Sequence, residues 1–198
     1  MDLNAYQKQA MRTSPEDHDR VKNGCLGLIG ESGEIVDIIK KWMFQSVEGT
    51  PLPVDKLIDE MGDVLWYCAE LATGSKLRLG ATIGTPGNRI RSLTFVEAAV
   101  MLAFDAAHCA LDALDGGKRS SAAFHITRIY EKLLYICDDI GTTIEHVAEH
   151  NIEKLKKRYP DGFDPERSMN RPEYAAKKNA EQTESASGLL FETRNRPV

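Results

Sequence analysis

Apolar residues recur at three- and four-residue spacing along almost all of this chain, and only clusters of glycine and proline break the pattern. That period puts one apolar stripe on an α-helix; a strand needs alternation every second residue. An all-α fold is therefore expected. The spacing predicts a first helix over residues 3–13, stopped by Ser14-Pro15, and a second over 20–44. A loop at 48–53 holds Pro51 and Pro53, and a third helix covers 54–73. Residues 74–92, with five glycine or proline positions, read as a long loop. Thr94-Phe-Val-Glu97 is a capping-box pattern, in which threonine and glutamate satisfy each other's free amides, and it opens a helix ending near residues 116–117. Another helix follows over 120–140. Thr142-Thr-Ile-Glu145 reads as a second capping box, opening a last helix that Pro160 stops. Residues 164–198 are polar with little periodicity and read as a tail on a domain spanning 1–163.

Two acidic pairs carry the chemistry. In residues 26–41, LGLIGESGEIVDIIKK, Glu31 and Glu34 are three apart and share one helix face. Leu28, Ile29, Ile35 and Val36 surround them, which a solvated acidic face does not need. Gly27, Gly30 and Gly33 fall every third residue, each at a cost of about 1 kcal/mol against alanine, so something is expected to approach this backbone closely. Residues 59–72, DEMGDVLWYCAELA, repeat the arrangement with Glu60 and Asp63. The short connection makes the two helices antiparallel neighbours, so that four carboxylates face one another. Half-buried and alone they would repel and take up protons. A divalent cation removes that conflict, and all-oxygen ligands select a hard one, Mg²⁺ first with Mn²⁺ as a substitute. Mg²⁺ commonly shares its shell with substrate phosphates, so phosphoanhydride chemistry is the natural use.

The bulk properties fit that reading. A net charge of −5 lacks the basic excess of a nucleic-acid binder. No apolar run is long enough to span a bilayer, so no membrane partner is expected. The four cysteines are far apart and form no C-x-x-C pair, which argues against zinc or a disulfide framework. With a polar N-terminus unlike a signal peptide, these features lead to a cytoplasmic expectation.

E-x-x-E followed after a spacer by E-x-x-D resembles the signature of MazG-like nucleotide pyrophosphohydrolases, of the all-α NTP pyrophosphatase superfamily. NGCLGLIGESGEIVDIIKKWMFQ resembles the first motif helix and DKLIDEMGDVLWYCAELA the second. TTIEHVAEHNIEKLKKRYPDGFD resembles the last core helix and its end. With the N-terminal helix, these blocks cover about half of the chain. The resemblance implies a helical bundle that hydrolyses a nucleoside triphosphate, often a deoxynucleotide, to monophosphate and pyrophosphate. Glu31, Glu34, Glu60 and Asp63 match its metal-binding positions, with Glu34 a candidate to orient or deprotonate water. Asn151 and Lys154 match an N-x-x-K implied to meet phosphates, and Lys40 or Lys41 stands where a basic residue is common. Small members resemble subunits that complete each other's sites, which implies a homo-oligomer, dimer or tetramer.

Other residues have two readings. Tyr67, one turn past Asp63, and Trp42 either border the substrate or pack in the core. Asp37 is either a partner of the site or a solvated acid. His146 and His150, four apart, read as surface residues for want of a third ligand. The chain departs from compact members of the family in residues 74–141, where two extra helices are inserted. They read as a worn repeat of the motif pair, with Asp105 and His108 near the frame of Glu31 and Glu34, or as a substrate-shaping cover, and no second metal site is expected. Two rival functions keep the bundle: a carboxylate-bridged di-iron protein, which wants Glu-x-x-His on two helices where only Asp105-x-x-His108 comes near, and a non-catalytic nucleotide sensor.

Overall fold

The computed structural model describes residues 1–83, 93–116 and 119–169. Helix α1 is Leu3–Ala10, extended by a 3₁₀ turn at Met11–Thr13. It is followed by α2 (Arg20–Gln45), α3 (Val54–Gly74), α4 (Leu79–Ile83), α5 (Phe95–Leu114), α6 (Arg119–Ile140), α7 (Ile144–Arg158) and α8 (Pro165–Met169). Among the described residues there is no strand, and the fold is all-α.

Two antiparallel pairs, α2–α3 and α5–α6, form the body. Helix α5 lies against α2 and α6 against α3, while α7 and α1 cover the other side of α3. Leu28, Ile35, Leu57, Met61, Leu65, Leu102, Ile129 and Leu133 of these four helices are fully buried in one continuous core. Each is on the predicted apolar stripe of its helix, which is why the pairs turn those faces together. Side-chain caps set the starts of α1 and α2: Asp2 accepts from the amides of Asn4 and Ala5, and Asp19 from that of Lys22.

The capping box at Thr94 and Glu97 forms in full. The second one does not. Thr143, not Thr142, caps α7 by accepting from the His146 amide, which leaves Glu145 in the first turn, too early to reach back to the cap. The expected loop from residue 74 is also partly helical. Gln7 and Asn4 of α1 accept hydrogen bonds from the amides of Leu79 (2.8 Å) and Gly80 (3.0 Å), so α4 begins on the side chains of α1. Residues 84–92 of that loop lie outside the described residues, as do residues 170–198 of the expected tail, which opens with the short helix α8.

One acid escaped the sequence reading. Glu70 on α3 is fully buried and answered by two residues that precede and open α2, His18 at 2.5 Å and Arg20 at 3.1 Å. This cluster fixes the entry of α2 against the far end of α3, and removing Arg20 would take the guanidinium away from a buried carboxylate.

Candidate metal and nucleotide site

The register of α2 on α3 is set by glycines. A Cβ on Gly24 would fall 2.9 Å from the Leu71 backbone nitrogen, and one on Gly27 only 2.1 Å from the Tyr67 ring. These absences of side chain let the helices close up, with Tyr67 lying over Gly27. One turn further along, the antiparallel register brings Glu31 to Asp63, and one more places Glu34 beside Glu60. Gly30 and Gly33 differ: a Cβ on either meets nothing within 4 Å. The expected close approach to all three glycines therefore holds only at Gly27, because Gly30 and Gly33 point away from α3 to the open side of α2.

Glu31, Glu60 and Asp63 each offer an oxygen within 4.8 Å of the others, and all three are half-buried. The physical consequence is visible in their proton affinity. Loss of solvent first, and then the charges of Asp63 and Glu60, push the Glu31 carboxyl up to about 7. Burial and Asp63 likewise raise Glu60 above the usual carboxylate range. Of the four expected ligands, Glu34 stands apart. It is exposed, outside the convergent group, at the rim of a groove of about 520 Å³ that it shares with Glu60, Lys41, Lys56 and Trp42. A trio of acids held together against their own repulsion fits a hard cation: the donors are all oxygen, and the charge that would stabilise them is not supplied in full by the described residues.

Part of it is supplied by α7. Lys154 reaches the Asp63 carboxylate at 2.9 Å and the Asp59 carbonyl at 3.2 Å. Asn151 donates to Asp63 Oδ1 at 3.0 Å and accepts from the Tyr6 hydroxyl at 2.8 Å. Both residues were expected to meet substrate phosphates. Asn151 is fully buried, with its amide engaged by Tyr6 on one side and Asp63 on the other. Lys154 has one-fifth of its side chain exposed and bonds the same carboxylate.

Lys40 and Lys41 both pair with Asp37, which makes Asp37 a partner of cations on its own helix; of the two lysines only Lys41 lines the groove. The Trp42 indole donates to the Thr50 carbonyl at 2.9 Å, bracing the α2–α3 loop at the groove wall. On the other side of the acids is a cavity of about 210 Å³, lined by Glu31, Asp63, Trp66, Tyr67, Asn23, Arg158, Tyr159 and Phe163. Trp66 packs edge-on against Tyr67 at 4.9 Å and donates to Thr13 Oγ1 at 3.0 Å. The carboxylates thus stand between two openings, one rich in rings, one with lysines. Asn23, Tyr159 and Phe163 were not singled out in the sequence, since each reads as an ordinary helix or turn residue until α7 folds over α3.

The other candidates resolve simply. His150 bonds Asp59 at 2.9 Å, and His146 stacks loosely against it. Asp105 is buried and paired with Arg128 at 2.8 Å and Lys132 at 3.5 Å, and among the described residues it belongs to no cluster of His, Cys or acid ligands, so the di-iron arrangement is absent there. No described helix is long and apolar enough to cross a membrane.

Residues 21–85 match the family model of the MazG nucleotide pyrophosphohydrolase domain. The chain is MazG-like over these residues. The matched stretch carries α2 and α3 and with them all four acids of the motif. A curated relative, the Gene 37 protein of Mycobacterium phage L5, is 36% identical over 69 residues, which are 34% of this chain and 60% of that protein. The chain thus spans less than two thirds of that relative's length. No solved structure matches.

Proposed function

We propose that this protein hydrolyses a nucleoside triphosphate, preferentially a deoxynucleotide, to the monophosphate and pyrophosphate with Mg²⁺. The observation that carries the reading is the half-buried trio of Glu31, Glu60 and Asp63, within 4.8 Å of one another and lying in the MazG-like stretch. These three would hold the cation, and Glu34 would join them from the groove rim. The chemistry such a cation, Mg²⁺ or its nearest substitute Mn²⁺, would supply there is polarisation of phosphoryl oxygens and a lowered pKa of water.

The chain's own groups do the rest. Glu34, exposed and next to Glu60, accepts a proton from the attacking water. Lys41 and Lys56 in the groove bind the phosphate tail as point charges. Trp66 and Tyr67 border the nucleoside in the ring-lined cavity. Domain 1–163 carries the acids, lysines and rings of this site, with the α5–α6 insert as scaffold. Exposed apolar side chains of α5 (Val100, Phe104, Leu111) and α2 (Leu26) support assembly into a homo-oligomer. The cytoplasm, where nucleotides are plentiful and thiols stay reduced, suits four free cysteines.

The test is release of pyrophosphate from a panel of NTPs and dNTPs by purified protein with Mg²⁺. Turnover of at least one, lost on chelation and in Glu60→Gln, is expected. Nucleotide binding with no turnover of any member of the panel would replace the enzyme reading with the sensor.

A further inference from the structure

Asp63 is linked through Asn151 to a tyrosine on α1. Tyr6 is fully buried, and a phenol hydroxyl is costly to bury without a partner. Its partner is Asn151 Oδ1 at 2.8 Å, with the Gly62 carbonyl further off at 3.4 Å. Asn151 has one carbonyl and one NH₂ group to place. The Asp63 carboxylate can only accept, so it takes the NH₂ group at 3.0 Å and leaves the carbonyl to the Tyr6 hydroxyl, which holds the amide from its other end. Turned the other way, the amide would aim its oxygen at a carboxylate that has no proton to give. Burial first and then the Asp63 charge hold the Tyr6 pKa well above its ordinary value, so the group remains a donor.

A second feature shows that the chain keeps room for this contact. A Cβ on Gly62 would come within 2.9 Å of the Asn151 Cβ. The residue next to Asp63 therefore lacks a side chain where α7 presses its asparagine onto α3. Lys154 bonds the same carboxylate, but its side chain is partly exposed and can be drawn off by an arriving anion. Asn151 cannot follow, being fully buried.

We infer that Tyr6 is a positioning residue for metal binding: its hydroxyl steadies the Asn151 amide, and the amide holds the Asp63 carboxylate in the orientation that faces Glu31 and Glu60. Three helices, α1, α7 and α3, are joined in this chain of hydrogen bonds. The inference rests on the proposed metal role of Asp63, and it does not require that the substrate be a nucleotide.

Tyr6→Phe keeps the ring and removes only the hydroxyl. Mn²⁺ binding to the nucleotide-free protein, read by electron paramagnetic resonance, should weaken about tenfold. The Mg²⁺ concentration giving half-maximal turnover should rise by a similar factor, with the nucleotide KM at saturating Mg²⁺ little changed. Adding Tyr6→Phe to Asn151→Ser should weaken Mn²⁺ binding no further than Asn151→Ser alone. Ile129→Val, a destabilising change in the α5–α6 pair, should lower the melting temperature without moving Mn²⁺ affinity. If Tyr6→Phe melts earlier yet binds Mn²⁺ like the parent, Tyr6 only packs, and the inference is overturned. Should Tyr6→Phe not fold, unchanged Mn²⁺ affinity in Asn151→Ser overturns it as well. A parent that binds Mn²⁺ but cleaves no nucleotide defeats the pyrophosphohydrolase reading alone. A parent that binds no Mn²⁺ defeats both.

Discussion

The α2–α3 pair and the α5–α6 pair are both antiparallel, both amphipathic, and both place acids at the helix interface, yet they settle the charge in opposite ways. In α5–α6 the buried Asp105 is met from the facing helix by Arg128 at 2.8 Å and Lys132 at 3.5 Å. The chain closes that account with its own cations. In α2–α3 three acids face one another, and the facing helix contributes more acid, not base. Lys154 comes from a third helix and bonds Asp63 alone of the trio, leaving Glu31 to hold a proton up to about pH 7. A helix pair becomes a structural core when the opposing stripe supplies the countercharge, and a cation seat when it does not.

That contrast breaks most easily at the acids themselves. Asp63→Asn should lower pyrophosphate release by roughly 10³-fold while the fold is retained, since several kcal/mol of transition-state stabilisation depend on the held cation. Circular dichroism alongside the activity assay checks it. Asp105→Ala should do the reverse. It strands Lys132, whose side chain is 7% exposed, and should cost about 3–5 kcal/mol in urea unfolding, with Mn²⁺ affinity kept. Similar activity losses in both variants would erase the distinction between the two pairs.

The glycines sharpen the picture at smaller scale. Gly27→Ala drives a methyl into the Tyr67 ring and should destabilise by about 1–3 kcal/mol, displacing the ring from the site. Gly30→Ala, one turn away on the open side, should stabilise by about 0.5–1 kcal/mol through helix propensity alone. Thermal melts of the two variants should therefore move in opposite directions.

The smallest expected effect is on pH. The Glu31 carboxyl binds its proton more tightly folded than unfolded, so its contribution to stability is complete below the ordinary glutamate range. It is lost as pH rises through about 7. The melting temperature of metal-free protein should fall between pH 5 and 8, and Glu31→Gln should flatten the slope. Excess Mg²⁺, which competes with that proton, should reverse it. A slope identical in parent and variant would mean that Glu31 is better solvated than its half-burial indicates.

Much of this was readable in the linear sequence. The helical period, the Gly/Pro breaks and the E-x-x-E and E-x-x-D spacings determine the number and direction of the long helices and place acids on the faces of α2 and α3. Those are local properties: a spacing of three on a helix is one face wherever the helix goes. The ends were legible less well, as at Thr142 and Thr143, because either threonine can cap and tertiary packing chooses. What the sequence alone could not decide is which partner each side chain meets. Glu34 shares a face with Glu31 but lies one turn along, at an open rim. Asn151 looks like a phosphate ligand in the motif and is buried between Tyr6 and Asp63. Glu70 looks like one more acid on α3 and is locked by His18 and Arg20. Each outcome depends on contacts between residues some 50 to 145 positions apart, and such contacts exist only once the helices have packed.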